Sequence, residues 1–108
     1  MKIIRFQKLI LEKNHTGNLR IELTEAGTWE SFPAFAKKYC KQINATILKK
    51  IDGPDVRIWD IEVEGTQISI AYDDYPNGVF LESSDENGNE LIKKLFKQID
   101  AEKSKKGV

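Results

Sequence analysis

Asp60, Glu62 and Glu64 alternate with Trp59, Ile61 and Val63 along one short stretch, and Asp73 ends the next such stretch. Carboxylates two residues apart share one face of a strand, and a paired strand can bring a fourth beside them. Oxygen donors gathered in this way could hold a divalent cation that activates water for hydrolysis. The other residues able to do chemistry stand alone. His15, the sole histidine, sits in the cluster Asn14-His15-Thr16-Gly17, where polar residues serve a turn. Cys40, the sole cysteine, falls on or beside the apolar stripe of a predicted helix, the usual place of a small core thiol. A single cysteine excludes an internal disulfide and a cysteine-based zinc site. The sequence has no glycine-rich phosphate loop, nucleophile elbow or histidine-pair metal motif.

The enzyme those carboxylates would suit is a metal-dependent nuclease, and Pro54-Asp55 followed by Glu62-Val63-Glu64 echoes the acid pattern of restriction-type enzymes. Glu64, however, stands where such sites need a lysine. Charge also opposes the idea. Between Asp52 and Glu90 there are eleven acidic side chains and one basic one, Arg57. Residues 1–51 hold ten Lys and Arg against four Glu, and residues 91–108 hold six Lys against two acids. The formal net charge of zero thus conceals segments of +6, −10 and +4. An acidic surface repels nucleic acid and attracts a basic protein. Lys37, Lys38, Lys41, Lys93, Lys94 and Lys97 read as the wet faces of two helices, without an aromatic platform for bases. The expectation is a chain with no catalytic residues, no cofactor or metal and no nucleic-acid partner.

The elements that position these acids are legible. Ile3–Glu12 and Asn18–Thr24 read as a hairpin that either lies at a sheet edge or pairs with another chain. Thr28 or Ser31 can open a helix whose stripe is Trp29, Phe32, Ala36, Tyr39 or Cys40, and Ile43, with Pro33 tolerated only in its first turn. Four strands follow, Ala45–Ile51, Val56–Glu64, Thr66–Asp73 and Val79–Ser83, with Glu64-Gly65 a two-residue hairpin turn. Leu91, Ile92, Leu95, Phe96 and Ile99 mark a second amphipathic helix, and Ser104–Val108 a loose basic tail. The order ββαββββα with short connections predicts an α+β fold: one mainly antiparallel sheet with both helices packed on one face. Residues 1–103 form a single domain, followed by the tail at 104–108. Its expected core is Trp29, Phe32, Tyr39, Trp59, Ile61, Ile68, Ile70, Leu81, Leu95 and Phe96.

Alternation then places Asp60, Glu62, Asp73 and Glu82 together on the sheet face away from the helices, with Asp74, Tyr75, Asp85 and Glu86 at its borders. Like charges on neighbouring strands are mildly destabilising, a cost that a binding role would explain. A plain solvated face is the competing reading, since antiparallel sheets commonly wet one side. Phe80 and Tyr75 lie among the acids as aromatic anchors or, more mundanely, as turn and loop packing.

From Phe32 to Ile99 the sequence resembles a group of small bacterial proteins that includes an uncharacterised family and immunity proteins of contact-dependent growth inhibition and related polymorphic toxin systems. The likeness rests on Phe32-Pro33-Ala34-Phe35-Ala36, Ile51-Asp52-Gly53-Pro54-Asp55, Trp59-Asp60-Ile61-Glu62-Val63-Glu64-Gly65, Tyr72-Asp73-Asp74-Tyr75-Pro76-Asn77-Gly78 and Phe80-Leu81-Glu82-Ser83. It implies a non-enzymatic protein that binds the C-terminal domain of one cognate toxin, commonly a basic nuclease, and blocks it. Joined to the alternation, it names Asp60, Glu62, Asp73, Asp74, Tyr75 and Glu82 as toxin-binding residues. The alternatives are the nuclease-like enzyme and a small adaptor or homodimer formed through the first hairpin. Met1–Leu11 never forms a continuous apolar run, and no stretch approaches a membrane span, so the expected location is the cytoplasm, with no membrane partner.

Overall fold

Wherever apolar residues alternate with polar ones the chain runs as strand, and where they recur every three or four residues it coils. The computed structural model describes residues 10–13, 16–24, 27–74 and 77–106. The elements are β1 (Ile10–Lys13), β2 (Leu19–Thr24), α1 (Phe32–Gln42), β3 (Thr46–Asp52), β4 (Val56–Val63), β5 (Thr66–Asp74), β6 (Asn77–Glu82) and α2 (Glu86–Lys106). The strands form one sheet in the order β1-β2-β6-β5-β4-β3, antiparallel throughout. The predicted α+β class and the order ββαββββα are those observed. Of the first predicted strand, residues 3–9 lie outside the described residues, as does His15; β1 occupies a sheet edge beside β2. α2 continues through Lys106, into the stretch expected to be a tail, whose last two positions, 107 and 108, lie outside the described residues. No helix among the described residues is long and apolar enough to cross a membrane.

One face of the sheet carries the core. Ile21, Leu81, Ile70 and Trp59 are register partners across β2, β6, β5 and β4, and all four are buried. Ile61 opposite Ile68, and Tyr72 opposite Val79, extend the same face. Phe32, Ala36 and Cys40 of α1 and Leu91, Ile92 and Leu95 of α2 join this single cluster, so both helices lie on one side. Because β2 pairs with β6, while β3 is the opposite edge, α1 carries the chain across the sheet before the remaining strands return toward β2. The β4–β5 turn is the predicted two-residue type: Glu64 and Gly65 both have positive φ, 52° and 82°, matching the twist of a tight hairpin.

Trp29 is a correction. It was expected in the core, but α1 begins only at Phe32, with Ser31 as N-cap residue and Pro33 in the first turn. Thr28 and Ser31 tie the preceding turn reciprocally, each side-chain oxygen accepting the other's backbone N–H at 2.9 Å. Trp29 is therefore off the helix and 36% exposed. Its ring carries the Arg57 guanidinium at 3.9 Å, and its Nε1 donates to the Gly53 carbonyl at 2.9 Å. Tyr39 and Phe96 are only half-buried at the core margin; the helix stripe turns Cys40 inward in place of Tyr39. Burial pushes both the Tyr39 phenol and the Cys40 thiol above their ordinary values.

Arg57 also organises the β3–β4 end. Asp52 Oδ1 accepts from Arg57 Nε at 2.8 Å and from Trp59 Nε1 at 3.2 Å. The Arg57 hydrogen bond, aided by that of Trp59 and by the charges of Arg57 and Lys50, holds the Asp52 carboxyl below the ordinary carboxylate range. A carboxyl whose folded value is depressed stabilises the fold above the unfolded value, near 4, and loses that contribution as pH falls through the folded value. Urea denaturation at pH 7 and at about pH 3 should therefore show a smaller loss of stability on acidification for Asp52→Asn than for wild type. Equal acid losses in the two proteins would remove Asp52 from the acid limb.

Candidate functional site

The face turned away from the helices is built of rows that run straight across the sheet. One row reads Glu12, Arg20, Glu82, Ser69, Asp60, Lys49, one residue from each of the six strands. The adjacent row reads Glu22, Phe80, Ala71, Ile58, Ile51. Beyond the charged row lie Gln67, Glu62 and Thr46, and beyond the apolar row Gly78, Asp73 and Val56. Strand pairing by apolar cores thus sorts the opposite side chains into a charged band beside an apolar band.

Asp60, Glu62, Asp73 and Glu82 all sit on this face, as alternation predicts, and all four are half-buried. The Ser69 hydroxyl donates to Asp60 at 3.0 Å. Glu82 lies 4.0 Å from Arg20 Nη1, while Arg20 Nε lies 3.1 Å from Glu12, an electrostatic contact without a directed N–H bond. Glu22, Asp73 and Glu82 all hold interactions of their own. Asp73 is two rows from Asp60, a separation of about 13 Å along the strands at ordinary strand rise. That spacing keeps the acids from converging, and among the described residues no group of three His, Cys, Asp or Glu could hold a metal ion.

One of the six predicted contact residues is not part of this arrangement. Asp74 is one residue out of phase with Asp73, so it belongs to the helix side of the sheet, where the Tyr72 hydroxyl donates to it at 2.8 Å. That hydrogen bond is the main reason the Tyr72 phenol lies above its ordinary value. Tyr75 lies outside the described residues. Phe80 is on the open face yet only 5% exposed, and Ala71 beside it 7%. The Arg20 guanidinium stacks 3.7 Å above the Phe80 ring, and the ring lies so close over Gly78 that a Cβ there would approach it to 2.9 Å. Phe80 is thus packed, not presented. The predicted border residue Asp85 caps α2, accepting the Gly88 N–H at 2.7 Å.

The residues missing from the sequence reading are Arg20 and Lys49, with Glu12 and Glu22. Alternation about Ile21 already puts Arg20 and Glu22 opposite the core, but only the β2–β6 pairing brings them beside Glu82 and Phe80. The face therefore carries six carboxylates, those of Glu12, Glu22, Asp60, Glu62, Asp73 and Glu82, and two cations, Arg20 and Lys49, among the described residues. A cavity of about 450 Å³ opens on it, lined by Thr16, Asn18, Ile58, Ser69, Glu82, Ser83 and Ser84 among the described residues. Glu82 is the one ionised group of that lining; the hydroxyls of Thr16, Ser69, Ser83 and Ser84 can donate as well as accept hydrogen bonds.

A family model described as a protein of unknown function (DUF3630) matches residues 9–99, and the chain belongs to that family. No curated protein and no solved structure matches it.

Proposed function

We propose that this DUF3630 member acts by binding, not by catalysis, and that its open sheet face docks a basic toxin domain and neutralises it. The supporting observation is the composition of that face, six carboxylates against two cations among the described residues. Such a surface raises the encounter rate with a basic protein and selects against anionic partners. The sequence likeness to immunity proteins supplies the kind of partner, since a nuclease toxin presents a basic cleft made for phosphates. Asp60 and Glu62 are the leading contacts. Glu82 and Asp73 would have to exchange present interactions for the partner's, and Asp74 would contribute only from the sheet's end.

Co-expression with a basic toxin domain encoded beside the gene tests the proposal. The expected result is a stoichiometric complex, rescued growth and binding that weakens as salt rises. Neither complex nor rescue, with both proteins soluble, would overturn it.

A further inference from the structure

Both rows of the open face end at β3, and both end on residues that solvent reaches. The charged row ends on Lys49, and the apolar row on Ile51, which is 47% exposed. Among the described residues β3 pairs only with β4, and six of its seven residues are exposed. Leu48, at the bulge between Ile47 and Lys49, is 49% exposed. Proteins commonly blunt an edge strand by making it short or by inserting proline. β3 is seven residues long without proline, and its remaining guards are the bulge and the two lysines.

Those lysines decide what can pair here. An antiparallel pairing of β3 with its own copy over all seven residues sets Lys49 against Lys49 and Leu48 against Lys50. Like charges directly opposite are destabilising, so the edge disfavours a second copy of itself. An acidic strand meets the reverse condition, and main-chain hydrogen bonds to the edge would supply affinity whatever its sequence.

We infer that β3 is a docking edge for an extended acidic segment of a partner protein, which adds as an antiparallel strand beside Lys49–Asp52. In register, the segment reads apolar, acidic, acidic: the apolar residue continues the row ending at Ile51, and the carboxylates face Lys50 and Lys49. Lys50 already lies 4.5 Å above the Trp59 ring on the helix side, so its acid contacts the core-side margin, whereas that facing Lys49 extends the charged row of the open face. This edge is independent of the toxin-binding reading, and its test requires no toxin.

The probe is a fluorescein-labelled peptide with a central Val-Glu-Glu-Val among threonines, compared with its Val-Lys-Lys-Val counterpart by fluorescence anisotropy. The wild-type protein should prefer the acidic peptide by about tenfold, from two cross-strand charge pairs turned from repulsion to attraction. Amide exchange should slow at Lys49–Asp52 on binding. Lys49→Glu with Lys50→Glu should reverse the preference. Should that double variant fail to fold by circular dichroism, Ile51→Asp, which keeps both lysines but removes the apolar contact and adds a like charge, should weaken the acidic peptide instead. Equal binding of the two peptides, no binding at millimolar peptide, or exchange protection confined to other strands would each overturn the assignment.

Discussion

Replacing Phe32 with alanine should cost about 3–5 kcal/mol, the usual loss for a fully buried phenylalanine. That is a large share of the roughly 5–15 kcal/mol that holds an ordinary domain together. Phe32 is completely buried as the first residue of α1. Its ring meets Trp59 edge-on at 5.1 Å between centroids and Tyr72 at 6.5 Å. It therefore pins the start of the crossing helix to β4 and β5 together, and the cavity left by alanine would be lined by large rings that cannot collapse into it. The urea midpoint followed by circular dichroism should fall by about 1 M or more. Phe35, half-buried and stacked on Tyr39 at 6.5 Å, is the comparison: its truncation should cost clearly less. If the two variants unfold at the same midpoint, α1 is not anchored through Phe32.

The fold was legible because its information is local. Alternation in Val56–Val63 and Thr66–Asp74, the Glu64-Gly65 turn, and the Phe32, Ala36, Cys40 spacing each follow from neighbouring residues. Trp29 was misplaced because its spacing fits the helix stripe, whereas the Thr28–Ser31 turn delays the start of the helix to Phe32, three residues later. The site was legible only in part, and the reason is topological. Charge is segregated along the sequence, but β2 inserts beside β6 and β3 beside β4, both from the basic first half. Arg20 and Lys49 are thereby delivered into the acidic row, an arrangement that depends on strand order and not on periodicity. Phe80 escaped for a related reason: its burial on the open face involves Arg20, sixty residues earlier in the chain.

The same rows determine which acid gives the sharpest functional readout. Reversal at Asp60 removes the acceptor of the Ser69 hydroxyl and puts a cation opposite Lys49, so lost binding would be mixed with lost stability. Reversal at Glu82 puts a cation beside Arg20 and carries the same ambiguity. Glu62 faces only Thr46 and Gln67 across the sheet, so Glu62→Lys changes the face's charge with little effect on the fold. Stopped-flow mixing of Glu62→Lys with the toxin domain should show association slowed by about tenfold at low salt, with a gap that narrows as salt rises; dissociation should change much less. Lys37→Ala should match wild type, and Lys94→Ala nearly so, because its pair with Glu64 at 2.8 Å joins two largely exposed side chains. An association rate for Glu62→Lys equal to wild type at low salt, in a protein that melts normally, would mean that this face does not capture the proposed toxin partner. If the Lys94→Ala control slowed association instead, the contact would lie on the α2 side of the molecule.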